Sequence, residues 1–308
     1  MSELDAYKEM KQHAFIFQVH KQPELFSRIC KVLSKDNHHF FVNIDAKIKN
    51  VDDFKSAVVD IPNMHFLQPR WKVYHGGCSQ FLCTLDLLRM VKKDLPNYSF
   101  VHSLSGQDYP VKSNKEFDRF FEDKDKGYMA IEDDEYNKEC LKNKYPIRVN
   151  QWYFNNSHTF IARIYNHTGL RHLLSTILKR PDIQGLRGGW SWFTWTPKIT
   201  DYVFSYLESH PEYLKRFNHT YCGDELIFST ILHPVAEKLG LDEKHPLRYV
   251  SWEPNRRKSD VGKYRPYILN EEDFEDIRDS GSLFCRKVQL PDSQKLLDLI
   301  DKINEMKK

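Results

Sequence analysis

The residues with most chemical potential in this 308-residue chain fall in four places. At 222–225, Cys-Gly-Asp-Glu leads straight into the apolar stretch LIFSTIL. Acidic residues favour helix starts through capping and the helix dipole. One carboxylate meets that need; here there are two. Glu225, held at a helix head with Asp224 beside it, has the chemistry of a general base for a hydroxyl. At 103–113, SLSGQDYPVKS sets Gln107 and Asp108 in a turn that Gly106 permits. Asp108 there either bonds backbone or faces a ligand. Arg286-Lys287 lie inside the apolar run LFCRKV, where charge is costly unless paired. A guanidinium fork beside a compact ammonium suits a diphosphate, whereas Glu271–Asp279 offers ordinary ion-pair partners. The run Arg256-Arg257-Lys258 reads as a solvated face, with Lys263 and Arg265 following it. Finally, GGWSWFTWTP at 188–197 puts Trp190 and Trp192 on one face of a strand. Those rings can stack on a sugar or fill a core, and Gly188-Gly189 would let a ligand approach closely.

Other chemistries find little support. The six cysteines form no C-x-x-C pair, so a zinc site is not expected. The fourteen histidines are scattered, and H-E-x-x-H is absent. Neither a P-loop nor G-x-G-x-x-G occurs. Basic and acidic residues number 46 and 43, a balance that argues against a nucleic-acid binder. No apolar run approaches the roughly 20 residues of a membrane span, and no signal peptide is expected. The cysteines are then expected as free thiols in a reducing cytoplasm. Aromatic residues reach 14%, while glycine is sparse at 12 residues.

These groups need elements to position them. HAFIFQV (13–19), HFFVNID (39–45) and NYSFVHSLS (97–105) read as strands. Helices follow the first at Pro23 and precede the third from Ser79, taken as a cap. A short helix is expected at VDDFKSAVV, and KVY (72–74) reads as extended. The alternation predicts an α/β layer with a mainly parallel sheet. Ligands bind such sheets at the carboxyl ends of strands, which points at His20, Asp45 and the SGQDY loop. Ser113–Glu116 is a capping box, so a helix follows that loop. YMAIEDD (128–134) and GGWSWFTWTP are further strands, with irregular chain between them until a helix over 169–179. Pro197 opens the helix KITDYVFSYL. LRYVSW (247–252), ending at Trp252, and LFCRKV (283–288) are strands, and an amphipathic helix closes the chain from Asp292.

The constellation resembles the core-2/I-branching β-1,6-N-acetylglucosaminyltransferase family, which also holds the peptide O-xylosyltransferases. Val19-His20-Lys21-Gln22-Pro23-Glu24 resembles the family's opening motif, and Ile44-Asp45-Ala46-Lys47 its I-D-x-K. Val73–Ser79 resembles V-x-W-G-G-x-S, with His75 in place of Trp. The signature L-S-G-Q-D-Y-P is intact at Leu104–Pro110. The family's P-D-E resembles Gly223-Asp224-Glu225, with Gly for Pro.

The resemblance implies a GT-A type, Rossmann-like α/β fold and inverting transfer from a UDP-sugar without a metal. It makes Glu225 the catalytic base, and Arg265, Arg286 and Lys287 the diphosphate ligands. His20, Asp45 and Lys47 match positions near uridine. Gln107, Asp108, Trp190, Trp192, Asp224 and Trp252 make up the donor-sugar and acceptor set. N-acetylglucosamine is the expected sugar, with UDP-xylose or UDP-galactose as alternative donors. A glycan- or nucleotide-sugar-binding protein without turnover is the alternative of another class. One domain is expected: a nucleotide-binding part over about 12–110, a sugar and acceptor part over 111–290, and a C-terminal helix over 291–308. The acceptor is expected to be a glycan or lipid-linked oligosaccharide. The expected location is cytoplasmic, peripheral at the inner membrane face, with no transmembrane segment.

Overall fold

The computed structural model describes residues 10–156, 159–252 and 266–306. Strand β1 (His13–Val19) pairs in parallel with β2 (His38–Ile44) on one side. On its other side it pairs in parallel with β4 (Phe100–Ser105), while β3 (Met64–Phe66) extends the sheet beyond β2. Past β4 come β7 (Gly189–Trp195), β6 (Gly127–Ile131) and β8 (Leu241–Asp242). The order is 3-2-1-4-7-6-8, with β7 antiparallel to both β4 and β6. Parallel strands buried on both faces read as continuous apolar runs, which is why β1 and β2 stand out in sequence. A small second sheet joins β5 (Tyr109–Pro110), β10 (Phe284–Arg286) and β9 (Arg248–Val250).

Side chains alternate between two cores, one on each face of the large sheet. Phe15, Phe17, Phe40, Val42 and Leu104 pack under α1 (Pro23–Leu33), α2 (Asp52–Ala57), α4 (Asn114–Phe121), α13 (Phe274–Asp279) and α14 (Gln294–Glu305). Ala14, Ile16, Phe41, Phe193 and Trp195 pack under α3 (Ser79–Asp94), α9 (Pro197–Ser209), α10 (Pro211–Phe217), α11 (Ile227–Leu232) and α12 (Ala236–Leu239). This is the expected layered α/β fold. Most of the aromatic excess sits in these cores, as in the Phe193–Trp195 stack at 3.6 Å. The chain leaves β1 toward β2 on one side and later returns to β4 on the other. That reversal makes the carboxyl edge of β1 and β4 a topological switch point.

Three local expectations change. Residues 72–74 join no sheet, and an unexpected strand stands earlier at Met64–Phe66, too short to show a period. Ser79 is the first residue of α3 and not its cap, because its hydroxyl accepts the Tyr74 N–H at 2.9 Å. The chain expected to be irregular holds α5 (Asp134–Asn143), α6 (Tyr145–Asn150) and α7 (Phe160–His167) ahead of α8 (Leu170–Ile177). Helix α5 buries only Asn137 and Cys140, so it lacks the apolar stripe that would reveal it. The Ser113 capping box forms as expected.

Candidate active site

Glu225 ends a 3-10 turn, Gly223–Glu225, just ahead of α11. Its carboxylate is 44% exposed and lies 3.0 Å from Nη2 of Arg148, a buried side chain of α6. The same guanidinium donates from Nε to the Tyr221 carbonyl at 3.0 Å, and also to the Cys222 carbonyl. Arg148 thus fixes both the loop and the carboxylate that ends it. Cys222 adopts a left-handed conformation, φ 48°. Its N–H donates to the Gly76 carbonyl at 3.0 Å. Gly76 itself has φ +72°, and a Cβ there would lie 2.6 Å from the Tyr221 ring. The Gly76-Gly77 turn therefore braces the loop that carries Glu225.

Asp224 is buried. Ser191 Oγ of β7 donates to its Oδ2 at 2.6 Å, and Oδ1 is buried with no partner. Burial and the neighbouring Glu225 push its carboxyl pKa up. The two adjacent acids are thus divided, one facing outward beside an arginine and one enclosed.

Asp108 has no exposed surface. The Ser105 N–H and hydroxyl each donate to it at 2.7 Å. Arg286 Nη1 approaches it at 2.9 Å and Arg248 Nε at 2.8 Å. Burial pushes its carboxyl up, but Arg286, Arg248 and the Ser105 hydrogen bonds outweigh it, so the pKa falls below the usual range. The expected ligand-facing role for Asp108 is therefore corrected: it acts beneath the site, through the two arginines. Arg286 lies over Trp192, its Cζ 3.5 Å from the ring centroid, and its Nε is buried without a partner. One face of Trp192 is thus taken by a guanidinium rather than offered to a sugar. Trp190 remains half-buried at the start of β7, 6.3 Å from the exposed Trp252.

The remaining groups gather past the ends of β1, β2 and β10. Asp45 is buried; it accepts the Lys47 N–H at 2.9 Å, and Lys47 Nζ lies 3.3 Å away. The pKa of His20 is lowered by burial, then by Lys21, with Lys47 and Lys287 adding to it and Asp45 opposing. The pKa of Lys287 is lowered by burial, Lys21 and Arg286. Among the described residues no carboxylate pairs with Lys287. Gln107 holds the segment after β10, its carbonyl accepting the Val288 N–H at 3.0 Å. The result is a cationic cluster of Lys21, Arg286 and Lys287 at the switch point. Because β7 runs antiparallel to β4, its first residues, Trp190–Trp192, share that edge.

Arg265, like Arg256–Lys258, lies outside the described residues. Gly188 and Gly189 do not leave room for a ligand: a Cβ at either would strike Tyr145 and Glu132, or Ser229 and the Ala130 carbonyl. Sequence reasoning missed Arg148 and Arg248. The one hint was their burial cost, which demands a partner, but neither partner is near in sequence. Among the described residues, one group has donor atoms spaced for a metal: His13, His38 and Asp118. It lies at the opposite, amino edge of β1 and β2, where Lys35 pairs with Asp118 beside a cavity of about 390 Å³. No described helix is long and apolar enough to cross a membrane.

The family model of the core-2/I-branching enzymes matches residues 13–278. The chain belongs to this family. It is similar to a human N-acetyllactosaminide β-1,6-N-acetylglucosaminyl-transferase, 29% identical over 108 residues, covering 33% of this chain and 26% of that protein. It is also similar to a pig protein described as a probable β-1,3-galactosyl-O-glycosyl-glycoprotein β-1,6-N-acetylglucosaminyltransferase 7. There the identity is 25% over 115 residues, or 36% of this chain and 26% of the relative. The matches thus span about a quarter of each curated relative. In this branching-enzyme chain the signature LSGQDYP supplies Asp108, whose work is to hold Arg248 and Arg286.

Proposed function

We propose that this core-2/I-branching family member is an inverting, metal-independent glycosyltransferase. It moves a sugar, N-acetylglucosamine first among candidates, from a UDP-sugar to a glycan hydroxyl. The observation that carries the reading is Glu225, outward-facing yet fixed by Arg148 at 3.0 Å. Glu225 takes the proton of the acceptor hydroxyl as its oxygen attacks the anomeric carbon. In-line displacement turns an α-linked donor into a β-linkage, and UDP leaves. Lys287 and Arg286, with Arg265 as a further candidate, balance the negative charge that UDP gains. Fixed cations in a preorganised site do electrostatic work that other enzymes assign to a metal. An anion bound beside Lys287 would offset the two cationic neighbours that depress its pKa. Asp45, His20 and Lys47 are assigned to uridine. The unpartnered Oδ1 of Asp224 and the Trp190–Trp252 pair are assigned to sugar.

The decisive experiment is a panel of UDP-sugars in thermal shift and product assays, with and without EDTA. A donor at 100 times its Kd stabilises by about 2.7 kcal/mol, so the true donor gives the largest shift at equal concentration. Transfer is expected to persist in excess EDTA; strict dependence on added manganese would overturn the cationic-clamp mechanism. UDP-xylose or UDP-galactose leading the panel would change the donor and leave the mechanism standing. Lys287→Met is expected to slow transfer by about 10²–10³-fold, the scale of a lost oxyanion donor. Unchanged kcat in that variant would remove Lys287 from the clamp.

A further inference from the structure

The helical pair α7 and α8, of which the sequence pattern marks only the second, carries an unusual surface. Helix α8 buries none of its residues, although it reads LRHLLSTI. Ile161 of α7 is 79% exposed, and Leu173 and Ile177 of α8 are 57% and 68% exposed. Leu170 and Leu178 are exposed beside them. Of the fifteen exposed large apolar side chains among the described residues, ten lie between Tyr136 and Leu178. Scattered exposed apolar residues need no explanation, but such a concentration marks an interaction surface.

Charge identifies the partner. Residues 140–181 hold seven basic residues, Lys142, Lys144, Arg148, Arg163, Arg171, Lys179 and Arg180, and no Asp or Glu. The whole chain is +3, so everything outside this stretch sums to −4. Arg148 and Arg180 are turned inward onto backbone carbonyls, whereas Lys142, Lys144 and Lys179 are exposed. A helix with aliphatic residues outward, set in a stretch of chain over 140–181 that carries basic residues and no acidic ones, suits a negatively charged lipid surface. A second copy of the chain fits worse, because a twofold contact would press two basic, acid-free faces together.

We propose that the α7–α8 hairpin docks this protein on an anionic bilayer. The hairpin is tied to the loop that carries Glu225. Trp152 Nε1 donates to the Leu178 carbonyl at 2.8 Å, and Arg180 Nη1 to the Gln151 and His219 carbonyls, both at 2.8 Å. Tyr153 stacks on Tyr221 at 5.3 Å, four residues before Glu225. If the proposed transfer holds, docking brings that base toward acceptors carried on lipid; the docking itself does not depend on that reading.

The test is co-sedimentation of the whole chain with vesicles of phosphatidylcholine alone or mixed with phosphatidylglycerol. Binding is expected to the mixed vesicles, weakened by salt as exposed charges are screened. Leu173→Glu with Ile177→Glu is expected to cut partitioning by about tenfold or more. These side chains are exposed, so the melting temperature of the variant stays near that of the parent. Transfer to a soluble acceptor, measured in parallel, is expected to be unchanged, which separates failure of docking from failure of the transferase reading. No binding to mixed vesicles, equal binding by the double variant, or a concentration-dependent dimer that the variant abolishes would each overturn the proposal.

Discussion

Glu225→Gln is expected to lower transfer by about 10²–10⁴-fold, the range that a positioned general base contributes. The amide keeps the size and hydrogen-bonding reach of the side chain but cannot take a proton. Arg148 keeps its bonds to the Tyr221 and Cys222 carbonyls, so the loop should stay in place. Nucleotide binding should therefore be unchanged, because the described cations assigned to the diphosphate, Arg286 and Lys287, lie at the end of β10 and just past it. The measurement is kcat with the best UDP-sugar, alongside UDP affinity by titration. Transfer near the parental rate would remove Glu225 as the base. The enclosed neighbour offers the contrast. Asp224 is enclosed, its Oδ2 accepts from Ser191 and its buried Oδ1 has no partner, so it is placed to hold a sugar hydroxyl. Asp224→Asn should raise KM more than it lowers kcat.

The parts of this site legible in sequence are those built from local runs. The buried parallel strands β1, β2 and β4 appear as unbroken apolar stretches, and their carboxyl ends name His20, Asp45 and the SGQDY loop at once. Glu225 draws notice because two acids stand where a helix start needs one, and the family resemblance is what names it as the candidate base. The partners that make these groups work are not legible. Arg148 pairs with a carboxylate 77 residues later, and Arg248 with one 140 residues earlier. Only the closed fold brings such residues together, and a lone arginine carries no period or spacing. Trp192 shows the converse difficulty. Its alternation with Trp190 is correct, but alternation gives the face and not the neighbour, and the neighbour is Arg286. The Gly188-Gly189 pair likewise signals close approach correctly; what approaches is Tyr145 and Ser229.

Asp108→Ala is expected to destabilise the fold by about 3–5 kcal/mol, the cost of breaking a buried ion pair from one side. The carboxylate is fully enclosed and is held by two arginines and Ser105. Removing it leaves Arg248 and Arg286 as buried charges with their main counterion gone. The urea midpoint should fall while the slope stays near the parent's, because the same surface is exposed on unfolding. Acid sensitivity gives an independent check on the cause. The folded pKa of Asp108 lies below its unfolded value, since the arginines and Ser105 outweigh burial. Its contribution is thus complete above about pH 4–5, where the unfolded chain is also ionised. It drains as the pH falls below about 4 toward the folded pKa. Asp108→Asn cannot ionise, so that share of the slope of stability against pH should vanish in the variant. An Asp108→Asn protein with parental stability at pH 7 would mean that the two arginines are held by something other than this carboxylate. Should the variant fold, Arg286 is still stacked on Trp192 but has lost its anchor. A donor KM that rises more in Asp108→Asn than in Ser105→Ala would then tie the buried carboxylate to the clamp on the leaving UDP.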